Sequence, residues 1–183
     1  MDARARARIS AGFTLLEISI TVVIVAILSA LLLAVMSSLR SRAQRAQCTT
    51  NLRNLYVGTE SFIQQNGSWP QIPRSAAGMS PEYAEAWVKT LEPFSVPAKT
   101  WICPTIQNLM KNPDYAKPGS ARLDYVPMPF DDKPTTAHQW PKQPWFIETG
   151  DVHGHGNLII FTDGSISDLK TVLQTAARKK ITR

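Results

Sequence analysis

Two cysteines, three histidines and a scatter of carboxylates carry most of the chemistry open to this 183-residue chain. His153 and His155 alternate with glycine in His153-Gly154-His155-Gly156, and Asp163 follows a short distance on. Imidazoles and a carboxylate are reasonable zinc ligands, and alternate residues of an extended chain point the same way. Against that stands a structural role, in which Asp163 and Gly164 make a turn, His153 hydrogen-bonds to backbone and no metal is bound. Glu17 poses a different question. It is the only ionisable side chain between Phe13 and Met36, and an acid left alone at the centre of a bilayer costs about 2–3 kcal/mol, somewhat less near an end. For catalysis the chain offers no nucleophile elbow, phosphate loop or paired metal-protease histidines, so an enzyme is not expected.

These residues hang on a simple frame. The apolar run from Phe13 to Met36 exceeds the about 20 residues that span a bilayer core as one helix. No proline follows until Pro70, and Gly58 is the one weak point, so helix is expected to continue to about Gln65 as a rod about 80 Å long. In its outer half Cys48, Leu52, Leu55, Thr59 and Phe62 recur at helical spacing with Tyr56 and Ile63 beside them, while Arg45, Asn51, Arg53, Asn54 and Glu60 fall mostly elsewhere. One face is to be covered, most economically by a sheet from the same chain. Asn66-Gly67-Ser68 ends the helix, Gly67 suiting the left-handed position after the last turn.

All thirteen prolines lie from Pro70 to Pro144. The tryptophans there argue for an ordered, loop-rich region, because disordered chains are poor in aromatics. Ser80-Pro81-Glu82 reads as a capped helix start with Tyr83, Trp87, Val88 and Leu91 on its apolar face. Short strands are expected at Thr100–Cys103, Leu123–Met128 and Trp145–Glu148, then a hairpin of Asn157–Thr162 and Ser165–Leu169 about a two-residue Asp163-Gly164 turn. The tail from Lys170 reads as a short helix with a basic end.

Gly12-Phe13-Thr14-Leu15-Leu16-Glu17 at the head of such a helix resembles the processing site of type IV prepilins and type II secretion pseudopilins. The resemblance implies that a prepilin peptidase cuts between Gly12 and Phe13 and methylates the new terminus, leaving Glu17 fifth in the mature chain. There its carboxylate meets the terminal amine of a neighbouring subunit, turning a costly buried charge into a register device. The segment His153 to Asp163-Gly164 is similar to the His-x9-Asp-Gly signature of a large pseudopilin-like family. Cys48-Thr49-Thr50-Asn51-Leu52-Arg53, Gly67-Ser68-Trp69-Pro70 and Cys103-Pro104 also match patterns of those proteins. The chain departs from them at Ser165, a place often taken by histidine, which weakens any histidine-based site there.

Several expectations follow from the resemblance. The fold is α+β and pilin-like: a leader over 1–12, a transmembrane half-helix over 13–36, an exoplasmic half over 37–66, and a head over 67–183 with a small antiparallel sheet. The protein sits in a bacterial inner membrane as a single-pass subunit with its head exoplasmic or periplasmic, then joins copies of itself and other pseudopilins in a filament. Prepilin peptidase, an assembly ATPase and a platform protein are the expected partners. Calcium is considered because some related major pseudopilins hold it, yet Asp131, Asp132, Asp151 and Asp168 show no recognisable loop spacing, and no cofactor is expected. An exoplasmic domain with two cysteines admits a Cys48–Cys103 disulfide tying helix to head; two buried thiols are the other reading.

Charge adds little. The net charge of +6 includes a leader with Arg4, Arg6 and Arg8 against Asp2, +2 in sum, so the mature chain carries +4. That surplus is weak support for a nucleic-acid partner, and Arg178, Lys179, Lys180 and Arg183 read as a solvated tail. The competing class is a membrane-tethered exoplasmic binding module that does not polymerise, with its ligand in the tryptophan-rich middle.

Overall fold

The computed structural model of the chain describes residues 14–73, 79–110, 121–133, 135–154 and 156–181. The chain divides into two compact units, one ending at Arg40 and one running from Ser41 to Arg183. Helix α1, Leu15–Asn66, passes through the boundary. Within the first unit it is one helix long and apolar enough to cross a membrane. Its isoleucines, valines and leucines from Leu15 to Leu33 are exposed all round, and a helix apolar on every side needs an apolar surround.

In the second unit α1 becomes one-sided. Cys48, Leu52, Leu55, Thr59 and Ile63 are buried, with Tyr56 and Phe62 packed at the margin. Asn51, expected off this face, is also buried, because its Nδ2 donates to Ile102 O at 2.9 Å and its Oδ1 accepts from Gln47 Nε2 at 3.1 Å. A buried amide with both ends satisfied loses little by leaving water. Gly58 is a contact rather than a weak point: a Cβ there would overlap Val96 Cγ2 and crowd Phe94 O at 3.2 Å. The helix ends as its sequence predicts, with Gly67 at φ 75° donating its N–H to Ile63 O at 2.7 Å.

Helix α2, Pro81–Leu91, starts where Ser80 accepts from Tyr83 N at 3.3 Å and buries Tyr83, Ala84, Trp87 and Leu91. The segment read as a strand over Thr100–Cys103 is instead a 3-10 turn, Ala98–Trp101, leading into helix α3, Pro104–Met110. Thr100 N donates to Pro97 O at 2.9 Å and Ile102 N to Lys99 O at 3.3 Å. Those local bonds use the donors a strand would need for a neighbour.

Four strands, β1 Tyr125–Pro127, β2 Pro144–Glu148, β3 Leu158–Phe161 and β4 Ile166–Asp168, form one antiparallel sheet in chain order. Tyr125 lies opposite Glu148, Ile147 opposite Ile159, and Ile159 opposite Ser167. The register slips between Pro144 and Phe146, a bulge after which both Trp145 and Phe146 are buried. Phe146 and Glu148 then share the inward face. The β3–β4 connection is one residue longer than expected: Phe161 N donates to Ser165 O at 3.0 Å across Thr162-Asp163-Gly164, and Gly164 takes φ 72°. This is a three-residue hairpin loop, a turn followed by a left-handed glycine. Helix α4, Leu169–Ile181, follows β4 directly.

Between α2, β2 and the segment after α1 lies an aromatic core. Trp69 meets Trp87, Phe130, Trp145 and Phe146 at centroid distances of 5.9, 4.7, 5.2 and 5.8 Å. Burying such large rings supplies much of the apolar driving force of a small head, and Trp145 Nε1 finds Ala137 O at 2.8 Å. The architecture is thus α+β, a long N-terminal apolar helix with a small four-stranded antiparallel sheet.

Candidate functional site

Two places gather chemistry. At the start of α1 Thr14 N and Thr14 Oγ1 each donate to Glu17 Oε2 at 2.9 Å, while Glu17 N donates to Thr14 Oγ1 at 3.2 Å. Thr-x-x-Glu closed in both directions is a capping box, satisfying donors that a helix start leaves bare. The carboxylate also lies at the positive end of the helix dipole. Gly12 and Phe13, the residues of the expected cut, lie outside the described residues, as does the leader.

The second place is inside the head. Cys48, Cys103, Glu148 and His153 bring one ligand atom each to within 4.8 Å of one another. Cys48 Sγ and Cys103 Sγ stand 2.6 Å apart as free cysteines, Cys103 Sγ lies 3.8 Å from His153 Nε2, and His153 Nε2 lies 3.2 Å from Glu148 Oε1. The side chains of His153 and Glu148 are 2% and 0% exposed. Cys48 comes from α1, Cys103 from the residue before α3, Glu148 from the end of β2 and His153 from the β2–β3 connection, so the group exists only once the head has folded.

Each position is braced. Cys103 N donates to Asp124 Oδ2 at 2.8 Å, and Asp124 is itself held by Arg122 Nε at 2.9 Å. Glu148 Oε2 accepts from Leu158 N at 3.3 Å, and Glu148 O accepts from Asn157 Nδ2 at 2.8 Å. The connection carrying His153 is folded back by Asp151, which accepts from Gly156 N at 2.8 Å and pairs with Lys170 Nζ at 3.4 Å. Lys170 Nζ also donates to Gly154 O at 3.2 Å.

Burial dominates the electrostatics. It pushes the Glu148 carboxyl up to about 9, with Cys103 adding to the rise, so at neutral pH without a cation this acid holds its proton. The Cys48 contact, then burial, raises the Cys103 thiol. Burial, then the positive charge of Arg45, lowers His153, which Asp151 only partly opposes. These three shifts all favour the uncharged form: a protonated Glu148 carboxyl that hydrogen-bonds a neutral His153 imidazole beside the Cys103 thiol. Such a set has the donor chemistry of a zinc site, two sulfurs, a nitrogen and an oxygen.

The other expected site residues go elsewhere. Asp163 accepts from Ser165 N at 2.9 Å and shapes the hairpin loop with Gly164; it is absent from the group that takes His153. His155 lies outside the described residues. Among the aspartates considered for calcium, Asp131 accepts from Lys133 N at 3.1 Å, Asp151 holds the His153 connection, and Asp168 pairs with Arg45 at 3.6 Å and accepts from Thr171 N at 2.9 Å. Glu148 was not expected from the sequence, although its place two residues after Phe146 on a strand was the available signal. The Thr14 to Glu17 spacing likewise carried a capping signature. No protein-family model, curated protein or solved structure matches the chain.

Proposed function

We propose that this chain is a pseudopilin or type IV pilin-like subunit, a structural component of a membrane-anchored filament of type II secretion or a related pilus system. The observation that carries the reading is one acid, Glu17, in the first turn of a helix with no other ionisable side chain as far as Met36, shortly after Gly12-Phe13. Cleavage after Gly12 exposes a cationic amine beside that turn. In a filament the amine of one subunit answers the carboxylate of the next, and the pair, rather than apolar burial, sets the register: lipid and neighbouring helices are equally apolar, so the transfer itself gains little. The α+β head behind the helix supports the same reading, as a pilin-like head held outside a bacterial inner membrane. Prepilin peptidase, the assembly ATPase and platform, and other pseudopilins are the partners this job requires.

The test is the amino terminus and assembly state of native protein. Mass spectrometry of material from the native membrane is expected to show a chain beginning at N-methylated Phe13, and crosslinking is expected to trap polymers. A chain that begins at Met1 and never polymerises overturns the reading and makes the protein a tethered binding module.

A further inference from the structure

The buried group of Cys48, Cys103, Glu148 and His153 has no part in the filament reading and stands independently of it. We propose that these four side chains bind one divalent, zinc-class metal ion inside the head.

The geometry comes first. A tetrahedral ion with sulfur at about 2.3 Å and nitrogen or oxygen at about 2.0–2.1 Å holds its ligand atoms about 3.3–3.8 Å from one another. Cys103 Sγ to His153 Nε2 at 3.8 Å stands in that range, His153 Nε2 to Glu148 Oε1 at 3.2 Å is just short of it, and all four ligand atoms lie within 4.8 Å of one another. The two sulfurs, at 2.6 Å, must open by roughly 1 Å to admit the ion, a change that side-chain rotation supplies. The donor set of two thiolates, an imidazole and a carboxylate suits a borderline-soft ion better than calcium or magnesium, which take oxygen ligands.

Burial and bracing come next. Glu148 is wholly enclosed, accepts from Leu158 N and meets His153 Nε2 at 3.2 Å, and among the described residues no lysine or arginine stands within ion-pairing distance of it. A fully buried acid normally has a cation for company. Asp124 on the Cys103 amide, and Asp151 and Lys170 on the His153 connection, fix the ligand-bearing backbone as outer-shell groups do around metals. Binding releases the thiol protons to solvent, because sulfur coordinates as thiolate and oxygen as carboxylate. The bound site carries one net negative charge, near Arg45, one helical turn from Cys48 on α1. Its structural effect is to clip α1, the α3 entry and the end of β2 together at one point.

The experiment uses the full-length chain, purified in detergent without chelators. Elemental analysis is expected to give about one zinc per chain, with both thiols resisting alkylation until a chelator is added. Exchange for cobalt(II) is expected to produce a thiolate-to-cobalt charge-transfer band. Glu148→Gln and His153→Gln are each expected to weaken binding at least about tenfold, the lower end of what even outer-shell losses cost, with the far-ultraviolet circular dichroism of His153→Gln unchanged. Should Glu148→Gln fail to fold, His153→Gln carries the comparison. An intact mass two hydrogens short with no metal, which means a Cys48–Cys103 disulfide, overturns the proposal. So do two freely reactive thiols that take up no metal, or metal binding indifferent to His153→Gln.

Discussion

Thr14 and Glu17 hold each other across the first turn of α1, backbone to side chain in both directions. The acid that the filament reading needs for a neighbour's amine is therefore also part of its own helix start, and the two uses can be separated. Glutamine keeps a capping box but carries no charge. Glu17→Gln and Glu17→Ala are expected to insert into membranes normally and to fail equally at filament incorporation, measured by sedimentation or crosslinking. Incorporation by Glu17→Gln at the level of the native protein would leave capping as the only role.

The proposed cut after Gly12 depends on a small residue at the scissile position. Gly12→Ile is expected to block maturation by a co-expressed prepilin peptidase, seen as retention of the leader in the intact mass. Loss of the leader from that variant would move the cleavage site elsewhere.

Gly58 lets the chain at Phe94 and Val96, just after α2, come against α1. Its α-carbon faces Val96 Cγ2 and Phe94 O with no room for a methyl group, so Gly58→Ala is expected to destabilise the head by about 1–3 kcal/mol although alanine is the better helix former. Denaturant unfolding followed on the head measures it. Adding Val96→Ala should recover part of the loss, since the crowding atom is then gone.

At Gly164 the backbone itself sets the demand. The residue sits at φ 72°, and a Cβ would stand 3.4 Å from the Tyr56 ring, whose hydroxyl donates to Thr162 O at 2.9 Å. Gly164→Ala is expected to cost about 1–2 kcal/mol and Gly164→Asn less, because asparagine enters the left-handed region more easily. Equal costs for the two would point to the Tyr56 contact rather than the backbone.

What the sequence announces and what it hides divide along a physical line. Local signals carried the extent of α1, the Ser80 cap, the glycine stop at Gly67 and the strands ending in the hairpin, since caps, breakers and periodicity act within a few residues. Thr100–Cys103 misled because apolar residues bounded by proline fit a strand or a turn equally, and only the partner available to their amides decides. Asn51 misled for another reason, and Glu148 drew no notice for the same one: polarity predicts exposure unless a distant group satisfies it, here Ile102 O for one, and Leu158 N with His153 for the other. The cluster of Cys48, Cys103, Glu148 and His153 is drawn from segments far apart in the chain, and a spacing motif records only neighbours. His153 was visible as a candidate, but paired with His155 and Asp163 instead of the residues it meets.

The aromatic core gives the head its own optical gauge. Trp69, Trp87, Trp101 and Trp145 are at most 2% exposed, while Trp140 is 61% exposed. In the folded head, iodide in the buffer reaches Trp140 and leaves the four enclosed indoles bright, so quenching that grows from a minor to a full fraction of the emission reports opening of the core in the intact protein, with no label attached.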